Sequence, residues 1–408
     1  MKKILYILLF LASIPLTAQE HSTCEGNRYR ADVFEDFTVT TALKYGEGTT
    51  FNGAFQELFL DVYEPADDEA TMRPVIILAF GGSFINGTRE DMAFLCEAYA
   101  KRGYVTVTMD YRLYDGPLFP IPSAEDMTDV VVKSISDMKA AIRYMREDAA
   151  TANLYRIDPD NIFVGGISAG SITAAHTSML DPTDELEDDL LALLDANGGW
   201  EGNTSDNYEY SSEVQGYINF SGALNDASWI DAEDPPFMSI HDDMDGVVPY
   251  GEGFASVFGF DIIYMEGSQI MHQEADAAGV LNILYTIENS NGHVSFMGNE
   301  AGRMESIERS TDFLYELLCA DYVSGINDEY SELKDFNISP NPTSGLINLK
   351  YESSQNLTST ISNIFGQQLG TWKNVSQIDL SQFGNGIYFL ETSNEISKEK
   401  TVTKIVVK

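Results

Sequence analysis

Positive charge is scarce in this chain: 24 Lys and Arg stand against 64 Asp and Glu, and the 408 residues carry a formal net charge of −40. Nine acidic and seven basic residues lie between Asp328 and Lys408, and Lys2 and Lys3 offset that small excess, so residues 19–327 hold the whole −40. Such a surface repels nucleic acid and anionic polysaccharide and makes a neutral substrate the expectation. Its plain meaning is a solvated acidic exterior rather than specific cation binding. Cysteine is almost missing as well. Cys24, Cys96 and Cys319 form no Cys-x-x-Cys pair and no Cys/His spacing, which argues against zinc and leaves one disulfide with one thiol over. Long apolar runs are absent beyond Met1 to Ala18, where Lys2 and Lys3 precede Ile4 to Ala12 and Leu16-Thr17-Ala18 ends in a small residue. That run is too short to span a bilayer and reads as a secretory signal, so a mature protein exported through the periplasm without a transmembrane segment is expected.

What is present suits a large core: 44% hydrophobic and 11% aromatic residues, over a length that suggests two or three domains. Strand-like runs at Val75 to Phe80, Tyr104 to Met109 and Ile162 to Val164 alternate with helical patterns at Glu90 to Arg102 and Asp126 to Ala150. Strand, helix, strand, helix, strand is the doubly wound alternation of a parallel sheet. The third strand runs into Gly166-Ile167-Ser168-Ala169-Gly170, where a sharp strand-to-helix turn would expose the Ser168 hydroxyl and set the Ala169 N–H at a helix N-terminus. The first strand ends in Gly81-Gly82-Ser83-Phe84, whose backbone can approach a ligand closely. Strands at Val214 to Phe220, Phe237 to Ile240 and Leu281 to Ile287 follow. The second leads into His241-Asp242-Asp243-Met244-Asp245, and the third into Asn291-Gly292-His293. By composition Asp242, Asp243 and Asp245 compete to orient a histidine, and the cluster is also a conceivable calcium site without an EF-hand loop. Residues 181–210 break the rhythm and are either a small lid or a surface excursion, with Trp200 and Tyr208 the residues to watch.

These separated motifs together resemble the α/β-hydrolases, in the carboxylesterase group that includes hormone-sensitive-lipase-like esterases and their polysaccharide-esterase relatives. The similarity runs over about residues 30–320. It rests on Ala79 to Phe84, Arg102-Gly103-Tyr104 through Asp110-Tyr111-Arg112, Ile157-Asp158-Pro159, Gly166 to Gly170, Asp245 to Pro249 and Gly292-His293. The family usually writes His-Gly-Gly-Gly where this chain has Phe80-Gly81-Gly82-Ser83, so the loop's supporting contacts must differ. The resemblance implies a Ser168, Asp245, His293 triad and an oxyanion hole of Gly82, Ser83 and Ala169 N–H groups, with no cofactor and no metal. The family's acid loop reads His-Gly-x-x-Asp-x-x-Val-Pro, which selects Asp245, while Asp242 in place of the glycine keeps that residue in contention. It further implies that the helices bearing Cys96 and Cys319 share one face of the sheet, pairing those two thiols and leaving Cys24 free, with a bridge from Cys24 to either as the alternative.

Phe336 to Lys408 carries Ile338-Ser339-Pro340-Asn341-Pro342-Thr343-Ser344-Gly345, Ile364-Phe365-Gly366-Gln367 and Gly386-Ile387-Tyr388-Phe389. Short Val/Ile/Thr runs between Gly/Asn turns predict a small β-sandwich. The stretch resembles the C-terminal sorting domain of type IX (Por) secretion substrates, which implies the type IX machinery as a partner and release or attachment at the cell surface. A carbohydrate-binding β module is the rival. The expected organisation is thus a signal at 1–18, an α/β catalytic domain at 19–327 and a linker with sorting β-sandwich at 328–408. The activity so implied is ester hydrolysis through an acyl-enzyme. Its rivals are a polyester depolymerase or lipase, a serine peptidase, or a non-catalytic binding or adhesion module on the same fold.

Overall fold

Seven consecutive residues, Arg73–Ala79 (β3), are buried along their whole length, and so are Val105–Met109 (β4) and Gly216–Phe220 (β6). Only a strand covered on both faces is buried so completely, and these form the middle of a parallel sheet. The computed structural model describes residues 24, 26–325, 331–333, 336–350, 357–363, 368–384, 386–394 and 399–408. The expected signal at 1–18 and the Ile364 to Gln367 motif lie outside the described residues. The chain divides into two compact units, Met1–Leu318 and Cys319–Lys408.

In the first unit the main sheet comprises those strands with Phe37–Thr49 (β1), Phe55–Pro65 (β2), Ile157–Ile167 (β5), Phe237–Asp242 (β8) and Asn282–Ile287 (β11). Its order is β1-β2-β4-β3-β5-β6-β8-β11. All neighbours from β4 to β11 are parallel, while β1 and β2 join antiparallel at one edge. Helices Ala93–Lys101 (α1), Ala124–Ala150 (α2) and Ala169–Met179 (α3) make the crossovers, and Ser268–Ala278 (α5) and Glu300–Gly325 (α6) complete the layers. Helix α2 starts at Ser123, whose hydroxyl accepts the Asp126 N–H while the Asp126 carboxylate accepts the Ser123 N–H, a reciprocal cap that sets its register. Asp188–Ala196 (α4) lies in the insertion after α3. A smaller antiparallel sheet joins Ala223–Leu224 (β7), Phe260–Gly267 (β10) and Glu252–Val257 (β9). Among the described residues no helix is long and apolar enough to cross a membrane.

Cys24 and Cys319 are disulfide-bonded, and Cys96 is the buried free thiol. This corrects the Cys96 to Cys319 pairing. Helices α1 and α6 do touch, with the Tyr99 and Ser310 hydroxyls 2.7 Å apart. Cys319 nevertheless lies nine residues further along α6, about 13 Å at the helical rise, outside the reach of Cys96. The segment after Cys24 is docked by Arg28-Tyr29-Arg30. Arg28 holds Asp68 at 2.7 and 2.9 Å, the Tyr29 N–H donates to the Arg102 carbonyl, and Arg30 holds Asp312 of α6 at 2.7 Å. Non-reducing peptide mapping is expected to yield a Cys24 to Cys319 linked peptide, and Cys24→Ser to lower unfolding stability by about 4 kcal/mol through the lost loop closure. A linked peptide containing Cys96 would overturn this assignment.

In the second unit one sheet orders Ser331–Glu332 (β12), Glu399–Val407 (β19), Gly386–Asn394 (β18), Leu357–Asn363 (β15) and Gln368–Lys373 (β16). The other orders Asn337–Ser339 (β13), Leu346–Lys350 (β14) and Gln377–Asp379 (β17). Ile347, Leu349 and Ile378 of the small sheet pack in one core with Ile361, Leu390 and Ile405 of the large one. Alternate residues of two facing sheets sharing one core make a β-sandwich.

Candidate active site

Ser168 joins β5 to α3 at φ 55° and ψ −119°, a conformation that a residue with a side chain adopts only when its surroundings impose it. Close packing imposes it here. A Cβ on Gly166 would lie 2.3 Å from the Gly170 carbonyl carbon, and one on Gly170 would lie 2.1 Å from the Ala79 carbonyl oxygen. Glycine alone lets α3 approach β5 and β3 this closely. The Ser168 N–H donates to the Phe220 carbonyl of β6 at 2.8 Å, and the Ser168 carbonyl accepts the Ile172 N–H at 2.9 Å. The turn is tied to sheet and helix at once, which leaves its hydroxyl at the C-terminal edge of the sheet.

Two loops beyond the C-terminal ends of β8 and β11 bring Asp245 and His293 to that edge. His293 Nε2 lies 2.8 Å from Ser168 Oγ, and His293 Nδ1 lies 2.7 Å from Asp245 Oδ2. An ionised carboxylate only accepts, so Nδ1 carries the proton and Nε2 is left to accept from the serine hydroxyl. Asp245 Oδ1 accepts the N–H groups of Val247 at 2.8 Å and Val248 at 3.1 Å. Burial opposes the charge on Asp245, but hydrogen bonds from His241, His293 and the Val247 N–H outweigh it and hold this carboxyl well below the usual carboxylate range.

The three competing aspartates separate by their donors. Asp242, fully buried at the end of β8, accepts the Ser295 N–H at 2.9 Å and also the Ser295 hydroxyl, so it clamps the loop that carries His293. Asp243 accepts the N–H groups of Asn289 and Ser290, both at 2.9 Å, and anchors the start of that loop. Of the three, Asp245 is the one that reaches His293. Their carboxylates diverge, and among the described residues no group of three His, Cys, Asp or Glu is placed to hold a metal ion.

After β3 the chain turns through Gly82, Ser83 and Phe84, at φ 129°, 56° and 59°. The Gly82 carbonyl accepts the N–H groups of Ile85 and Asn86, and a Cβ there would meet the Asn86 carbonyl oxygen at 2.0 Å. Ser83 and Ala169 line the same pocket as Ser168. Among the described residues the N–H groups of Gly82, Ser83 and Ala169 have no protein partner. Unused donors at a tight turn and a helix N-terminus beside Ser168 form an arrangement that could hold an oxyanion.

The pocket encloses about 790 Å³ including its mouth. Met127, Val131 and Ile135 of α2 form one wall, Leu180 and Trp229 another, and Val257, Ile263 and Met265 of β9 and β10 a third. His176 also lines it but brings no charge. Burial pushes its pKa down to about 4, and with Nε2 accepting the Asn225 N–H at 3.2 Å, Nδ1 donates to the Ile172 carbonyl at 2.8 Å.

Residues 60–225 match the BD-FAE family model, and residues 337–408 match the secretion system C-terminal sorting domain. A segment similar to the BD-FAE family thus precedes one similar to the sorting domain. It is 27% identical over 236 residues to Esterase LipQ of Mycobacterium tuberculosis, covering 53% of this chain and 51% of that protein. It is 33% identical over 116 residues to a probable isoprenylcysteine alpha-carbonyl methylesterase of Oryza sativa subsp. japonica, covering 28% of this chain and 24% of that one. The chain thus spans about half or less of the length of these curated relatives. The apo form of Thermogutta terrifontis esterase 2 is 23% identical, with 67% of this chain and 96% of that chain covered at a TM-score of 0.47.

The pocket wall formed by β9 and β10 carries no clear mark in the sequence. Val257 pairs with Phe260 across Phe258-Gly259, and both turn residues have positive φ, 53° and 80°. Asn or Asp ordinarily announces such a turn, and phenylalanine does not. The insertion at 181–210 supplies Leu190 to the pocket and is bound mainly to α2, with the Glu47 N–H of β1 and Arg112 also donating to Thr204. Thr204 Oγ1 donates to Asp137 Oδ1 at 2.6 Å beside the buried Arg112–Asp137 pair, and Lys139 Nζ donates to the Trp200 carbonyl at 2.7 Å. Tyr208 donates to the Gly202 carbonyl with the Arg143 guanidinium 5.2 Å over its ring. Two of the residues that support the site, His241 and Ser295, are short polar neighbours of the motifs and become visible only through their contacts.

Proposed function

We propose that this chain is a secreted serine carboxylesterase acting on neutral esters. The observation that carries the reading is the continuous link from Ser168 Oγ through His293 to Asp245, at 2.8 and 2.7 Å, on a strained elbow that opens into an apolar pocket. Ser168 Oγ attacks the ester carbonyl as His293 Nε2 takes its proton. The carbonyl oxygen, now negative, is held by the N–H groups of Ser83 and Ala169, with Gly82 alongside. Collapse of the tetrahedral species expels the alcohol, which takes the proton from His293, and water repeats the cycle on the acyl-enzyme. Asp245 keeps the imidazole in the Nδ1–H tautomer and offsets its charge. The name of the relative LipQ, an esterase, supports the same reading, and the sorting domain supports secretion or surface attachment through type IX machinery.

A pocket walled largely by apolar side chains, in a chain whose residues 19–327 bear a net −40, favours an uncharged, apolar acyl group. Each buried methylene is worth about 0.8 kcal/mol, so kcat/KM on p-nitrophenyl esters should rise about tenfold from acetate to butyrate and fall again at octanoate, whose chain outgrows the pocket. A rate still climbing at octanoate would favour a lipase or polyester depolymerase. Inertness toward all three esters would favour a binding module.

A further inference from the structure

Resting on that reading, a third tier of the site emerges from the polar side chains buried beneath Asp245. His241 of β8 is fully buried, and its two ring nitrogens face different partners. Nδ1 lies 2.8 Å from Ser268 Oγ, while Nε2 lies 3.1 Å from the Val248 carbonyl oxygen and 3.5 Å from Asp245 Oδ2. We propose that His241 is a positioning residue, whose Nε2–H is held on the acid loop by a hydrogen-bond chain of fixed direction running across the sheet.

The direction follows from the groups that have no choice. Asn282 donates through Nδ2 to the Val280 carbonyl and to Asp276 at 3.0 Å, so its Oδ1 accepts. His272 Nδ1, 2.6 Å from that oxygen, must therefore donate. His272 is then left with an accepting Nε2, which takes the Ser239 hydroxyl proton at 2.8 Å. Burial pushes the His272 pKa down to about 4, in keeping with a neutral ring. The Gly222 N–H donates to Asn219 Oδ1 and fixes which end of that amide is oxygen. Asn219 Nδ2 consequently donates to both Ser239 Oγ at 2.9 Å and Ser268 Oγ at 3.1 Å. His241 Nε2 meets only acceptors, the Val248 carbonyl and the Asp245 carboxylate, so it carries the proton and Nδ1 accepts from the Ser268 hydroxyl. Asn219 is the donor from which the chain runs both ways, through Ser239 to His272 and through Ser268 to His241.

That N–H acts on Asp245 by two routes. It faces Oδ2 directly, and it anchors the Val248 peptide, whose own N–H donates to Asp245 Oδ1 at 3.1 Å. Tyr250 packs edge-on against the imidazole at 5.6 Å and closes the remaining face. With the acid loop held this way, Oδ2 stays in line with His293. Without it, the carboxylate loses one direct donor and the fixed end of its backbone clamp.

Two amide variants separate this role from packing. In His241→Gln the side-chain amide lies near the former Nε2 position and can still donate to Val248 and Asp245. In His241→Asn it lies near Nδ1, keeps the Ser268 contact and falls short of the acid loop. The readout is the second-order rate at which a fluorophosphonate labels Ser168 in the full-length chain, with kcat on p-nitrophenyl butyrate and thermal midpoints alongside. The expected result is a ten- to hundredfold slower labelling in His241→Asn, the rate equivalent of one hydrogen bond to a charged group. His241→Gln should stay within about threefold of wild type, although both variants lose thermal stability. Equal rates in the two variants, or wild-type labelling in His241→Asn, would overturn the proposal and leave the serine mechanism standing. A wild-type chain that resists labelling, or Ser168→Ala that labels as fast as wild type, would overturn both.

Discussion

Ser168→Ala is expected to lower ester hydrolysis by about six orders of magnitude, the loss that follows removal of the nucleophile in serine hydrolases whose triad acts as a unit, while leaving the fold intact. The alanine keeps the Cβ that already fits between Gly166 and Gly170, and the backbone bonds from residue 168 to Phe220 and Ile172 do not involve the hydroxyl. What disappears is the atom that attacks the carbonyl and the donor to His293. The unpaired N–H groups of Ser83 and Ala169 remain, so a residual acceleration over water of about a thousandfold should survive. Turnover of p-nitrophenyl butyrate, read together with circular dichroism and the thermal midpoint, tests it. Residual activity above about 1% of wild type, in protein free of contaminating esterase, would sink the serine mechanism.

Asp245→Asn should slow hydrolysis by about four orders of magnitude, and Asp242→Asn by about tenfold or less. In the first variant Asn Oδ1 can still accept from Val247 and Val248, so the loop keeps its shape. The amide nitrogen then faces His293 Nδ1 and donates to it, which moves the imidazole proton to Nε2. The histidine is left with nothing to accept the Ser168 proton. At residue 242 the carboxylate has no contact with His293 and serves Ser295, two residues further on. An asparagine oxygen can keep the Ser295 N–H, and the serine hydroxyl can turn to accept from the new amide. Its main cost is therefore in loop stability, and it should appear in the thermal midpoint before it appears in kcat. A loss in Asp242→Asn as large as that in Asp245→Asn would return the acid role to residue 242.

The elements that were legible share one property: their signal is local. Val75 to Phe80 is a continuous apolar run and Tyr104 to Met109 an apolar, β-branched one, as a strand covered on both faces demands. Gly166 and Gly170 announce the elbow because the approach of α3 to β3 leaves no room for a Cβ. His293 stands out beside Gly292 in a polar loop with no packing role, and the repeated Val/Ile/Thr runs after Phe336 read as a sandwich because period two is visible over a few residues. Where contacts join distant segments the signal fades. Phe258-Gly259 hides a two-residue turn behind an unusual residue, so the β9 and β10 wall of the pocket went unmarked. Cys24 looked free because the Arg28 to Asp68 and Arg30 to Asp312 pairs that dock its neighbours span 40 and 282 residues.

By itself the amino-acid sequence determined the α/β alternation, the glycine-flanked turn at Ser168, the set of three aspartates before Val247 and the β-rich tail, because periodicity, glycine spacing and residue type act within a few positions. Tertiary structure alone decided which aspartate meets His293, which cysteine pairs with Cys319, and what walls the pocket. Asp242, Asp243 and Asp245 have the same carboxylate, and only the donors that the β11 loop carries to each of them, roughly fifty residues away in the chain, distinguish a loop clamp from the partner of His293. A carboxylate's role is set by the hydrogen-bond donors it meets, and those donors are assembled only when β8 and β11 lie side by side.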